Sequence, residues 1–161
     1  MTIVKLYVGC GLTYAPQEYK DQIASFKNKL RSIEWIEVLD FWNANSASNG
    51  KQPDSHEIYC TDIHECVGNA HAMIGELSYP STGLGWELAT SIEKHGIRVL
   101  MCAHKDALVS HLPIGASLYD VNKRSTSFIR YKESIEELIP FFLEELKIVQ
   151  KNIEESEFIH E

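Results

Sequence analysis

Residues 71–103 read HAMIGELSYPSTGLGWELATSIEKHGIRVLMCA, and the order of signals in them decides the fold class. His71 to Leu77 is apolar through its middle, the pattern of a strand covered on both faces. Ser81 or Thr82 then stands as a helix cap, an apolar-periodic run extends from about Gly85 to His95, and Gly96 supplies the stop. Ile97 to Ala103 is a second apolar, β-rich run. A strand, a capped helix, a glycine stop and another strand make a crossover unit, the connection that parallel strands require.

The alternation continues outward in both directions. Ile3 to Val8 reads as a strand ending in the turn Gly9-Cys10-Gly11. Pro16 opens a helix with Tyr19, Ile23, Phe26 and Leu30 on one face. Glu34 to Leu39 is a further strand, and Asn43 to Asp54 (NANSASNGKQPD) is a polar loop rich in turn formers. Ser55 caps a helix to about Val67, on which Ile58, Ile63 and Val67 face the core and Asp62 lies near its boundary. After the strand ending at Ala103 come a short helical or irregular stretch, a strand over Ser127–Tyr131, and an amphipathic helix from Ile135 to about Gln150. The expectation is one flavodoxin-like, Rossmann-like α/β domain over residues 1–150, followed by an acidic tail over 151–161. Its sheet is parallel and five-stranded, ordered 2-1-3-4-5, with helices on both faces.

Composition narrows the function classes. The chain has 161 residues, 44% of them hydrophobic and 24% charged, which excludes disorder and a fibrous fold. Its net charge of −8 lacks the basic footprint of a duplex nucleic-acid binder or a membrane-surface protein. No apolar run approaches the roughly 18 residues of a bilayer span. The opening MTIVKLYVGCG reads as a strand and not as a signal peptide, so the expected location is the cytoplasm. The four cysteines, Cys10, Cys60, Cys66 and Cys102, are expected as reduced thiols in such a compartment.

In this class of sheet, ligands bind beyond the carboxyl ends of the strands, where the strand order reverses. Two segments should meet there: Tyr7 to Thr13 after the first strand, and Glu76 to Glu87 after the third. Ser81-Thr82-Gly83 leads into a helix, so hydroxyls and backbone N–H groups face the pocket, an arrangement that favours anions and phosphate especially. Gly83 and Gly85 let the backbone approach a ligand closely. Glu87 lies just inside that helix, and Asp62 is a second carboxylate on the preceding one.

These residues carry a resemblance. YVGCG (7–11), the aspartate of TDIHEC (61–66) and PSTGLGWELA (80–89), followed by KHGIRVLM (94–101), are similar to the nucleoside 2-deoxyribosyltransferase superfamily. The spelling is closest to its 2'-deoxynucleoside 5'-monophosphate N-hydrolase branch. The resemblance implies that Glu87 is the nucleophile at the anomeric carbon and that Asp62 helps to protonate the departing base. Tyr7 matches the tyrosine that orients the glutamate, and Ser81 matches a serine that binds the 5'-phosphate. Ser110, in LVSHLPIGA, resembles a serine reaching the phosphate from a neighbouring subunit. Phe41 or Trp42 falls where residues surround the base, while Gly9 and Gly11 line the substrate. No cofactor is implied. The expected partners are a small nucleoside or nucleotide and a second copy of the chain, in a homodimer that shares its active site and packs through the last helix or its neighbours.

The chemistry is coherent on its own terms. Breaking an N-glycosidic bond places positive character on the sugar and negative charge on the base, so one carboxylate captures the cation while an acid serves the leaving group. Carboxylates about 5 Å apart suit a covalent, retaining route. Water resolving the glycosyl-enzyme gives hydrolysis, and a second base gives transfer. One departure keeps transfer open. The loop after the first strand is Gly11-Leu12-Thr13, nearer to the transferases, where the monophosphate hydrolases carry a serine and an arginine. His104, Lys105, His111 and Arg124 are the cations that could compensate. A non-catalytic nucleotide-sensing module is the remaining alternative.

Other patterns have simpler explanations. His56, Cys60 and His64 recur every fourth residue, a spacing metals use, but no second ligand cluster follows, and the expectation is no metal. Gly9-Cys10-Gly11 lacks the third glycine of a dinucleotide fingerprint, Tyr14 standing in its place. Cys10 has no helix start or basic neighbour to activate it, so packing accounts for it.

Overall fold

The computed structural model describes residues 1–39, 54–119, 121–122 and 125–159. Five strands, β1 (Val4–Cys10), β2 (Ile36–Leu39), β3 (Ala72–Glu76), β4 (Arg98–His104) and β5 (Thr126–Tyr131), form one sheet in the order β2-β1-β3-β4-β5. Every neighbouring pair is parallel. This is the flavodoxin-like, Rossmann-like architecture and the strand order that the sequence predicts.

Period-two alternation divides the core into two layers. Leu6, Val8, Ile74, Leu100 and Cys102 face α1 (Gln17–Arg31) and α5 (Ile139–Ile159), whose contributions include Phe26, Leu30, Phe142 and Leu146. Tyr7, Met73, Val99 and Met101 face the other way, onto Cys66 and Val67 and onto Leu84 and Leu88 of α3 (Thr82–Ala89). The sheet is covered on both sides, so β3 and the middle of β4 are buried residue by residue. On α1 the buried residues are Tyr19, Ile23, Phe26 and Leu30, the stripe predicted from spacing.

The differences from expectation are local. The helix after the described gap, α2 (Ser55–Tyr59), is capped by Asp54 and not by Ser55, because Glu57 completes a reciprocal capping box with the aspartate. From Cys60 to Cys66 the helix is π-wound, closing i→i+5 bonds. Asp62, in that segment, is buried at 9% exposure, whereas Ile58, on α2 just before it, stands outward at 36%. α3 begins at Thr82 on its Ser81 cap, earlier than the predicted Gly85, and its continuation Thr90–His95 is again π-wound before Gly96 stops it at φ 60°. The short segment after β4 contains α4 (His111–Leu118). α5 runs on to Ile159, through most of the segment set apart as an acidic tail.

No helix among the described residues is long and apolar enough to cross a membrane. No disulfide joins any of the four cysteines.

Candidate active site

The sheet order reverses at β1, and the carboxyl ends of β1 and β3 bring three of the anticipated side chains together. Tyr7 is buried on the α3 side of β1. On α3 the buried residues are Leu84, Glu87 and Leu88, so Glu87 occupies a place in the apolar stripe where the periodicity calls for a hydrophobe. The Tyr7 hydroxyl hydrogen-bonds the Glu87 carboxylate. Asp62 approaches from the π-wound segment and acts electrostatically on both.

Burial sets the electrostatics. It pushes the Glu87 carboxyl up to about 7, with the Asp62 charge adding to the rise and the Tyr7 hydrogen bond and Lys27 opposing it. Burial likewise pushes Asp62 up to about 6, against the attraction of Lys27. Tyr7 is driven far upward, by burial first and then by the two carboxylates, so its hydroxyl remains a donor. Asp62 Oδ1 is buried and finds no hydrogen-bond partner among the described residues, a costly condition for a carboxylate oxygen unless a ligand supplies the partner. Two neighbouring carboxyls near neutrality can share one proton, the arrangement acid–base chemistry uses.

Glycines leave the room this arrangement needs. A Cβ on Gly9 would meet Glu87 Oε2 at 2.8 Å, Leu84 Cδ1 at 2.9 Å and Met73 Cε at 2.9 Å. Gly9→Ala therefore displaces the Glu87 carboxylate by steric contact. We expect it to fold, losing about 1–3 kcal/mol by overpacking, while turnover falls about 100-fold. Thermal unfolding together with steady-state kinetics checks both, and wild-type kcat in Gly9→Ala would contradict the placement. Gly11 is equally constrained, since its Cβ would lie 2.5 Å from the Tyr79 carbonyl oxygen and 3.3 Å from Ser81 Cβ. Gly83 and Gly85 are different. A Cβ on Gly83 would stand 3.8 Å from Ser81 Oγ and one on Gly85 would meet nothing within 4 Å, so the protein's own packing demands neither glycine.

Ser81 and Ser110 line one groove of about 1250 Å³ between α3 and α4. Each caps a helix: Ser81 Oγ accepts from Leu84 N at 3.1 Å, and Ser110 Oγ from Leu112 N at 3.4 Å. His111 is the one Lys, Arg or His among the described residues lining that groove. His104 and Lys105 lie elsewhere, with the His104 ring edge-on to Tyr131 at 5.6 Å and Lys105 N donating to Tyr131 O at 2.8 Å. The groove continues into an exposed apolar surface that includes Leu112 and Tyr119, with Leu108 at 95% exposure. By contrast, most large apolar residues of α5 are spent in the core, where Phe142, Leu146 and Val149 are buried and Ile139, Phe141 and Leu143 pack against them. Exposed apolar side chains thus gather along α4 and its flanks, while on α5 Ile148 remains 49% exposed. Phe41, Trp42 and Arg124 lie outside the described residues.

His56 and Cys60 do meet, Sγ lying 3.9 Å from Nδ1, but His64 turns toward Tyr59, ring centres 5.4 Å apart. No group of three or more His, Cys, Asp or Glu among the described residues could hold a metal ion. Two residues near the site are given no role by the sequence reading. Lys27 is the cation that opposes the rise of both carboxyls, and nothing in the periodicity of α1 marks it. Glu76 is wholly buried at the end of β3; a lone carboxylate closing the apolar run HAMIG was a signal that could have found it.

No family model matches the chain. A curated protein of Methanococcoides burtonii named "Putative 2'-deoxynucleoside 5'-phosphate N-hydrolase 1" is 36% identical over 91 residues, which are 55% of this chain and 72% of that protein. Among solved structures, a conserved protein from Enterococcus faecalis matches with a TM-score of 0.57 at 15% identity, over 84% of this chain and 96% of the other. At that identity the likeness speaks to the fold alone.

Proposed function

The chain belongs to the 2'-deoxynucleoside 5'-phosphate N-hydrolase family, within the nucleoside 2-deoxyribosyltransferase superfamily, and we propose that it hydrolyses the base–sugar bond of 2'-deoxynucleoside 5'-monophosphates. The observation that carries this reading is the buried trio of Tyr7, Asp62 and Glu87, with both carboxyls raised toward neutrality and one Asp62 oxygen unpartnered among the described residues.

In the proposed reaction Glu87 attacks the anomeric carbon as its bond to the base nitrogen breaks, and Asp62 delivers a proton to the departing base. Tyr7 holds the glutamate on line. Water then attacks the anomeric carbon of the glycosyl-enzyme, releasing Glu87 and 2-deoxyribose 5-phosphate, and the proton that water gives up restores Asp62. Gly9 and Gly11 keep the floor of the site open. Ser81, the backbone N–H groups at the start of α3, and Gly83 and Gly85 with their open Cβ positions cradle the phosphate. Trp42 is assigned to the base. No cofactor enters. Ser110 completes the cradle in a homodimer, which buries the apolar surface of α4 and makes the site shared between subunits.

Exchange of bases on unphosphorylated deoxynucleosides is the second reading, favoured by one feature, the loop Gly11-Leu12-Thr13 without a cation. A chromatographic assay over nucleosides and 5'-monophosphates, ribo and deoxy, with and without an acceptor base, separates the two. Base released from deoxynucleoside monophosphates alone supports the hydrolase, and base exchange on unphosphorylated deoxynucleosides supports the transferase. Silence across the panel would leave a nucleotide-binding module without catalysis. Run on serial dilutions beside gel filtration, the assay also tests the shared site: activity per subunit should fall where the dimer dissociates, and an active monomer contradicts it.

A further inference from the structure

Glu76 ends β3 on the α1 side of the sheet, opposite the Tyr7–Glu87 pair, and the reaction above does not use it. Its carboxylate is completely buried and meets four donors. Oε2 accepts from the Tyr19 hydroxyl and from Ser78 N at 3.1 Å. Oε1 accepts from the Ser78 hydroxyl and from the Tyr131 hydroxyl at 3.0 Å. Ser78 Oγ in turn accepts from His104 N at 2.8 Å. One carboxylate thus ties together α1, the end of β5, the end of β4 and the loop that leaves β3.

That loop is the one that matters for the site. One residue beyond Ser78, Tyr79 packs edge-on against Tyr19, ring centres 4.6 Å apart, and its carbonyl presses on Gly11 so closely that a Cβ there would lie 2.5 Å away. Two residues further, Ser81 caps α3, accepting from Leu84 N, and Gly85 N donates to Ser81 O at 3.2 Å. A buried carboxylate is costly unless its oxygens are satisfied, and a fully satisfied network selects one arrangement of the groups joined to it. We propose that Glu76 is a positioning residue which, through Ser78, fixes loop 77–81 and so the phosphate-binding start of α3. The inference rests on the reading above that this helix start receives the 5'-phosphate.

The mechanism separates binding from chemistry. Glu87 lies more than a turn further along α3 and is held by Tyr7 from β1, so loosening the loop disturbs the phosphate more than the nucleophile. An interaction made equally with bound substrate and transition state appears in KM and leaves kcat alone. Ser78→Ala removes the link between the carboxylate and His104 N, and should raise KM for a deoxynucleoside monophosphate about tenfold with kcat within about threefold. KM for the matching unphosphorylated nucleoside should not change. Glu76→Gln presents an amide that hydroxyls can still bond after rotating, so its KM rise should be smaller. The double variant should be no worse than Ser78→Ala, because the two residues act through one network.

Hydrogen exchange at the Leu84 and Gly85 amides supplies a readout that does not depend on catalysis. It should quicken in Ser78→Ala while the amides of β1 and β3 keep their protection. Unchanged KM and unchanged exchange at α3 would overturn the inference. So would equal KM rises for phosphorylated and unphosphorylated substrates with falling kcat, the mark of a merely structural role. Should Ser78→Ala fail to fold, the graded KM of Glu76→Gln decides. If the wild-type protein turns over no nucleotide, the functional reading fails while the exchange experiment still decides the positioning role.

Discussion

A Glu87→Gln variant should fold, bind nucleotide and turn over about 10⁴-fold more slowly than the wild type. The substitution keeps the volume within the α3 stripe and leaves an oxygen for the Tyr7 hydroxyl, so the loss reads the missing nucleophile and not a collapsed site. The same variant should be more stable than the wild type at alkaline pH, and the sign follows from burial. The folded-state carboxyl lies at about 7, above its value in the unfolded chain, so the folded form binds the proton more tightly. Stability from that difference is present at low pH and is lost as pH rises through 7, where the buried carboxyl must ionise. Gln never ionises. Thermal unfolding at pH 5 should therefore separate the two proteins little, whereas at pH 8 the variant should be favoured by something on the order of 2 kcal/mol. Substantial residual kcat would remove Glu87 from the chemistry. Equal stability at both pH values would contradict its buried, raised state.

The sheet was legible because its physics is local and repetitive. His71–Leu77 and Ile97–Ala103 are apolar on both faces, Gly96 is the helix stop with a positive φ, and Tyr19, Ile23, Phe26 and Leu30 keep an α-helical spacing that the structure keeps as well. The misreadings occur where the winding departs from 3.6 residues per turn. Over Cys60–Cys66 the π-wound segment advances each residue by a smaller angle. There Asp62, placed at the boundary by α-periodicity, is turned in beside Glu87, while Ile58, expected in the core, stands outward on the α-helical turn before the segment. The same departure separates His64 from the His56–Cys60 contact. The sequence stretch alone carries no sign of the winding, so a motif resemblance located Asp62 better than periodicity did.

Glu76 was missed for a different reason. A carboxylate closing the apolar run HAMIG marks a buried polar position, but its partners Tyr19 and Tyr131 stand 57 and 55 residues away, and no local pattern names them. The packing of α5 is equally long-range, its Phe142 ring meeting Phe26 of α1 with centres 5.8 Å apart. A helix covering the middle of a parallel sheet can bury a stripe wider than a simple amphipathic count allows, and Phe142, Leu146 and Val149 are used in that way. Exposed apolar side chains remain along α4 and its flanks, among them Leu108 and Leu112. A short helix of weak periodicity gave no forewarning of that.

Asp62→Asn should separate the two roles assigned to the carboxyls. In the wild type the pH dependence of kcat/KM should be bell-shaped with its maximum between about 6 and 7, the values of Asp62 and Glu87, because turnover needs a proton on the pair and a negative charge at Glu87. The acidic limb reports loss of that negative charge. The alkaline limb reports loss of the remaining proton, which the departing base needs. Asparagine cannot supply this proton, so kcat should fall about 10²–10³-fold for ordinary bases, and the alkaline limb should disappear. The acidic limb should remain and should not move downward, because Asp62 carries its proton on that limb and, like asparagine, places no charge beside Glu87 there. A substrate with an activated leaving group that departs without protonation should recover most of the lost rate in Asp62→Asn and none of it in Glu87→Gln. Should the alkaline limb persist unmoved in Asp62→Asn, another group protonates the base, and Asp62 retains only its electrostatic influence on Glu87.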